Sequence, residues 1–207
     1  AISFAFVTEA AATEWNASLW GKRRAFTEHV EKLAELVSEK TGGEFTINIA
    51  LVEDHRPVLG VLYLPLEQIA FVGIPGLAAH RYHYRSRGQW ERHPVAVRKL
   101  VPGMELAVLA SRRHRNDKLE ACLDWLHRHW GPVQRLDSGS ALKFCQLAQG
   151  EGDFYPRFSP CCEWDTAAGQ ALLEAAGGAL LGLDGKPLQY NRRGTLLSPH
   201  FIALCDP

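Results

Sequence analysis

The sequence predicts a layered α/β or α+β protein with two lobes, and three observations lead there. Short strand-like runs gather in clusters, and amphipathic helical stretches separate the clusters. The connections are brief and polar, with no repeat, low-complexity tract or flexible linker. At 207 residues the chain can build one substantial core, or two small ones sharing an interface.

Taken in order, residues 22–40 form the clearest amphipathic helix. Phe26, Val30, Leu33 and Val37 recur at three- and four-residue intervals and so share one face. Gly42 and Gly43 stop it. In EFTINIALVED, Phe45, Ile47, Ile49 and Leu51 alternate with Thr46, Asn48 and Ala50, which predicts a strand. The polar turn DHRP leads to VLGVLYLP and then IAFVG, giving a three-stranded antiparallel meander. LAVLAS at 106–111 predicts a strand, 117–130 a helix with Leu119, Cys122, Leu123 and Leu126 as its stripe, and VQRL a short strand. A helix follows from about Ala141 to Ala148, then a strand in FYPRF and a helix over 166–176 ended by Gly177 and Gly178. ALLGLDGKPLQY reads as a hairpin about Asp184 and Gly185, and FIALCD as a closing strand.

Lys plus Arg and Asp plus Glu both number 23, so the formal charge is zero. A general nucleic-acid or membrane-surface binder would carry a basic excess, which is absent here. Charge is nonetheless local: HRYHYRSRGQWERHPVAVRK holds six Arg or Lys and one acid. Five cysteines without framework spacing predict buried thiols in a reducing compartment rather than disulfides. No run of 18 apolar residues is present, and the apolar start lacks the positive region of a signal peptide. These features point to a cytoplasmic protein, with a peripheral place at the inner membrane as the alternative, and leave a homo-oligomer open.

Four stretches carry candidate chemistry. Asp165 stands at the start of a run of helix formers, where its carboxylate suits either a helix cap or a hard cation such as Mg²⁺. In DSGSALKFC, Ser138, Gly139, Ser140 and Lys143 surround another helix start and suit a phosphate; a serine cap beside an ordinary lysine is the alternative. SRRHRND concentrates three arginines and His114 at a strand's end, where α/β folds often bind ligands and where a solvated loop is equally at home. Arg157, between apolar neighbours in YPRF, suits a bidentate phosphate contact or a structural ion pair. Cys161 and Cys162 are adjacent and their side chains diverge, while His127 and His129 are two apart on a helix, so neither pair makes a metal knuckle. No P-loop or dinucleotide fingerprint appears.

WDTAAGQALLEAAGG at 164–178 resembles the second signature of the Mg²⁺-dependent phosphatases related to inositol monophosphatase. GGEFTINIALVEDHRPVLGVLYLP, ASRRH, GSALKFC and YPRF narrow the resemblance to the 3′(2′),5′-bisphosphate nucleotidases of the CysQ type, over roughly Thr41 to the C-terminus. The resemblance implies an αβαβα sugar-phosphatase-like sandwich: a divergent helical segment over 1–40, the sheet part of an N-terminal lobe over 41–100 and a C-terminal α/β lobe over 101–207. It implies hydrolysis of the 3′-phosphate of adenosine 3′,5′-bisphosphate to AMP, with some members also accepting the sulfated nucleotide. It further implies that Asp165 is a catalytic metal ligand for Mg²⁺, and that His114, Gly139, Ser140, Lys143 and Arg157 hold the nucleotide and its phosphates. The partner so implied is a small phosphorylated adenosine nucleotide, not a nucleic-acid polymer. An inositol phosphatase fits less well, because GSALKFC and YPRF accompany the general signature.

Several positions depart from the pattern, and the greatest departure lies upstream. Arg113, Asn116 and Ala141 replace a serine, an aspartate and a second serine. The family carries Asp-Pro-Leu-Asp-Gly-Thr just before GGEF, where this chain runs ELVSEKTGGEF, and no aspartate precedes Asp54. The N-terminal part is therefore expected to be incomplete or divergent. Either sequence is missing between Lys40 and Thr41, or the chain is a non-catalytic homolog that binds phosphorylated nucleotides.

Overall fold

Asp54 and His55 both adopt left-handed backbone, with φ of 47° and 65°. Two such residues close a tight hairpin whose twist matches its strands, as the DHRP segment predicts. The computed structural model describes residues 46–86, 89–111, 116–139 and 141–207. The expected helix at 22–40 lies outside them.

That turn joins β1 (Ile47–Glu53) to β2 (Arg56–Leu64) in an antiparallel pair. β3 (Ile69–Ile74), β4 (Ala78–Tyr84) and β5 (Trp90–Pro94) continue the meander, so the first sheet has five strands in sequence order rather than three. The buried face of β1 is the reverse of the expected one. Ile49 and Leu51 are 55% and 56% exposed, while Ala50 and Val52 pack against the core. Ala50 pairs with Gly60 on β2, and a Cβ at Gly60 would collide with the Ala168 carbonyl. Gly73 on β3 lies against the Leu172 backbone in the same way. Close approach of a helix thus selects small residues on this face and sends the larger ones of β1 outward.

The second half alternates strand and helix: β6 (Leu106–Ser111), α1 (Asp117–His129), β7 (Val133–Ser138), α2 (Leu142–Ala148), β8 (Phe154–Arg157), α3 (Glu163–Ala175), β9 (Ala179–Gly182) and β10 (Phe201–Leu204). Strand order in this sheet is β7-β6-β8-β10-β9. β6 runs parallel to β7 and β8, whereas β10 is antiparallel to β8 and β9. The turn at Asp184 and Gly185 forms, but only Leu181 and Pro187 bridge across it, because β9 takes β10 as its partner.

α2 and α3 lie between the sheets, where Leu62, Phe71, Phe144, Leu172, Tyr155 and Phe201 share one core. α1 covers the other face of the second sheet through Leu126, Cys122 and Leu123 over Leu106 and Val108. The described residues therefore supply four layers, β–α–β–α, of the expected sandwich, and all fall in one compact unit. All five cysteines are free thiols. No helix among the described residues is long and apolar enough to cross a membrane.

Asp153 fastens the strand-free stretch after β5 to the second sheet. Its fully buried carboxylate accepts hydrogen bonds from Nε and Nη2 of Arg98 and from the Ala107 amide, the latter at 2.7 Å.

Candidate active site

β6, β7 and β8 run parallel, so their C-terminal ends reach one edge of the sheet, with Ser111 paired to Ser138 there. Ligands in open α/β sheets collect at such an edge, where helix N-termini and loops converge. Gly139 follows β7, Arg157 closes β8, and α2 and α3 begin from the loops beyond them. His114 and Ser140 lie outside the described residues.

α3 begins at Glu163, three residues before the expected start, because Cys162 and Asp165 form its cap. The Cys162 amide donates to Asp165 Oδ2 at 3.0 Å, in a capping box between Cys162 and the third helical position. The Asp165 side chain is otherwise exposed. Its cap role is therefore geometrically satisfied by one oxygen, and the other faces solvent.

Arg157 is half-buried. Nε and Nη2 donate to the carbonyls of Ser159 and Pro160 at 3.2 and 3.1 Å. These bonds hold the guanidinium across the loop that leads to α3. Among the described residues no carboxylate pairs with it, so carbonyls take the place of the structural ion pair weighed from sequence. Its remaining N–H groups can still meet an anion.

Lys143 is 1% exposed. Its Nζ donates to the Ser138 carbonyl at 3.0 Å and lies 5.0 Å from the centroid of the Tyr155 ring. The ammonium thus supports the loop after β7 from the inside, on an aromatic face.

Tyr155 is the residue that sequence reasoning missed. Buried between Phe144 and Phe201, it touches Lys143 with its ring. Its hydroxyl interacts with Arg157 and feels the charge of Asp165. Burial pushes that hydroxyl up to about 12, against a smaller downward pull from Arg157. Burial likewise raises the Cys161 thiol, which senses the same Arg157 and Asp165. Lys143 therefore contacts the tyrosine ring, and the charges of Arg157 and Asp165 reach its hydroxyl. The signal was available: the tyrosine precedes Arg157 by two, on the same strand face, within YPRF.

The described residues do not by themselves fit a resident Mg²⁺. Asp165 offers one carboxylate, and no group of three or more His, Cys, Asp or Glu residues among them could hold a metal. A hard cation needs more oxygen ligands than that.

The inositol monophosphatase family model matches residues 27–204, and the chain belongs to that family. Within it, the chain is similar to the 3′(2′),5′-bisphosphate nucleotidase CysQ of Salmonella typhimurium, 39% identical over 167 residues, covering 78% of this chain and 61% of that protein. The Escherichia coli K12 protein of the same name is 38% identical over 167 residues, with the same coverage of each chain. Among solved structures, CysQ from Bacteroides thetaiotaomicron, a bacterial member of the inositol monophosphatase family, superposes with a TM-score of 0.70 at 36% identity, covering 83% of this chain and 67% of that one. The chain spans about three-fifths of the length of the CysQ proteins it matches in sequence.

Proposed function

We propose that this chain acts on the 3′-phosphate of adenosine 3′,5′-bisphosphate, or of its sulfated form, as a nucleotidase of the CysQ type. The placement of Lys143, Arg157 and Asp165 at or just beyond the C-terminal ends of β7 and β8 carries the reading. In it, the unused N–H groups of Arg157 bind phosphate oxygens, with the guanidinium already held in place by Ser159 and Pro160. Lys143 fixes the loop after β7, so that the Gly139 and Ser140 backbone and the hydroxyl of Ser140 receive a second phosphate. His114 orients the nucleotide. Asp165 serves as the catalytic carboxylate. Residues 41–100 form the sheet part of an N-terminal lobe, and 101–207 the lobe that carries the phosphate contacts.

Mg²⁺ is the proposed cofactor of hydrolysis, and ligands besides Asp165 would have to come from outside the described residues. One observation favours a second reading: the described residues hold no acidic cluster, as a non-catalytic nucleotide binder would have it. Incubating the 207-residue chain with adenosine 3′,5′-bisphosphate and Mg²⁺ decides between them. The first reading expects AMP and phosphate in equal amounts. Saturable nucleotide binding without either product would establish the second.

A further inference from the structure

A cavity of about 750 Å³, lined by none of Asp165, Lys143, Arg157 and Gly139, opens between the β1–β2 turn, the 182–189 turn and the 193–200 segment. Arg56, Lys186, Arg193 and His200 line it over an apolar floor that includes Leu188, and Asp184 supplies one carboxylate. Its size is that of a small-molecule site.

All three walls are pinned. The His55 ring Nδ1–H donates to the Tyr190 carbonyl at 2.8 Å, and the Tyr190 amide returns to the His55 carbonyl at 3.0 Å. These reciprocal bonds fix the backbone next to Arg56. The Gly182 amide donates to the Lys186 carbonyl at 2.8 Å, closing the second wall. On the third, Arg193 Nη2 meets the buried Glu163 at 2.7 Å, and His200 stands edge-on to Phe158 with ring centroids 6.1 Å apart.

The charge balance is one-sided. Asp184 Oδ1 is turned to its own turn, accepting the Lys186 amide at 3.2 Å. Glu163 engages one guanidinium nitrogen of Arg193. Arg56 and Lys186 have no carboxylate partner among the described residues. Cations with spare donors above an apolar floor suit a ligand with an oxyanion at one end and an apolar body at the other.

We propose that this cavity, which Asp165, Lys143 and Arg157 do not line, is a second binding site, for a small phosphate ester. The ester oxygens meet Arg56 and Lys186, and the apolar part covers Leu188.

Amide NMR spectra of the full chain, titrated with phenyl phosphate and separately with inorganic phosphate, test it. The expected result is saturable movement of the Gly182, Lys186 and Gly194 amides, with phenyl phosphate the tighter ligand. The double variant Arg56→Glu, Lys186→Glu should weaken that binding by at least about tenfold. Both altered lysine and arginine side chains are exposed, and spectral dispersion reports directly whether the fold persists. No saturable movement at these amides, equal affinity for the two ligands, or undiminished binding by the double variant would each overturn the proposal.

Discussion

The Cys162 amide donates to the Asp165 carboxylate at 3.0 Å, so the candidate catalytic aspartate also starts the helix that carries it. The two roles separate by substitution. Asp165→Asn keeps an acceptor oxygen at the cap and should leave stability within about 0.5 kcal/mol, whereas Asp165→Ala should lose about 1 kcal/mol. Urea unfolding of the two variants measures the difference.

Close contact between the first sheet and α3 leaves no room at Gly73, where a Cβ would run into the Leu172 backbone. Backbone cannot rotate aside as a side chain can. Gly73→Ala should therefore destabilise the protein by about 1–3 kcal/mol. Gly76→Ala is an instructive contrast, because its position is open to solvent but has φ of 79°. It should cost about 1 kcal/mol through backbone strain alone. Thermal unfolding of both variants distinguishes a collision from strain.

Alkaline pH should destabilise the fold through groups that burial keeps protonated. Tyr155 is pushed up to about 12 from an ordinary value of 10, and Tyr190 is raised as well. Cys205 is pushed up to about 12 from 9. In each case the unfolded chain releases its proton first, so stability is full below the unfolded value and falls as pH climbs. The decline begins near pH 9 with the thiol and steepens above 10, each group adding at most about 1.4 kcal/mol per pH unit. Tyr155→Phe should reduce the slope between pH 10 and 12. Chemical denaturation across that range reads it.

The Asp153 carboxylate sits wholly inside the second sheet and binds Arg98 and the Ala107 amide. Asp153→Asn removes the buried charge and leaves the guanidinium without its partner. The Arg98 side chain is 36% exposed and can recover water, so the loss should fall near the lower end of the usual range, about 3 kcal/mol. Guanidinium unfolding gives the value.

Much of the second half was legible because its signals are local. LAVLAS is an apolar run bounded by polar residues, and β6 occupies the same six positions. Of the helix stripe, Cys122, Leu123 and Leu126 pack on the sheet, and Leu119 is buried. What escaped depends on partners distant in sequence. β4 and β5 hid within a basic, aromatic stretch, since His80, Tyr82 and Tyr84 lack the apolar alternation that marks a strand. The face that β1 buries is decided by α3, more than a hundred residues away, through the glycines of β2 and β3. At the site, Arg157 and Asp165 stood out by residue type in context. Tyr155 did not, because an aromatic among apolar neighbours looks like core until the Lys143 ammonium is seen over its ring.

The most direct test compares phosphate release from adenosine 3′,5′-bisphosphate, with Mg²⁺, by the unaltered chain and by Asp165→Asn at matched stability. The account predicts Mg²⁺-dependent release by the unaltered chain and a fall of at least about a hundredfold in the variant. Equal release by both would contradict a catalytic Asp165, and release by neither would contradict the nucleotidase itself.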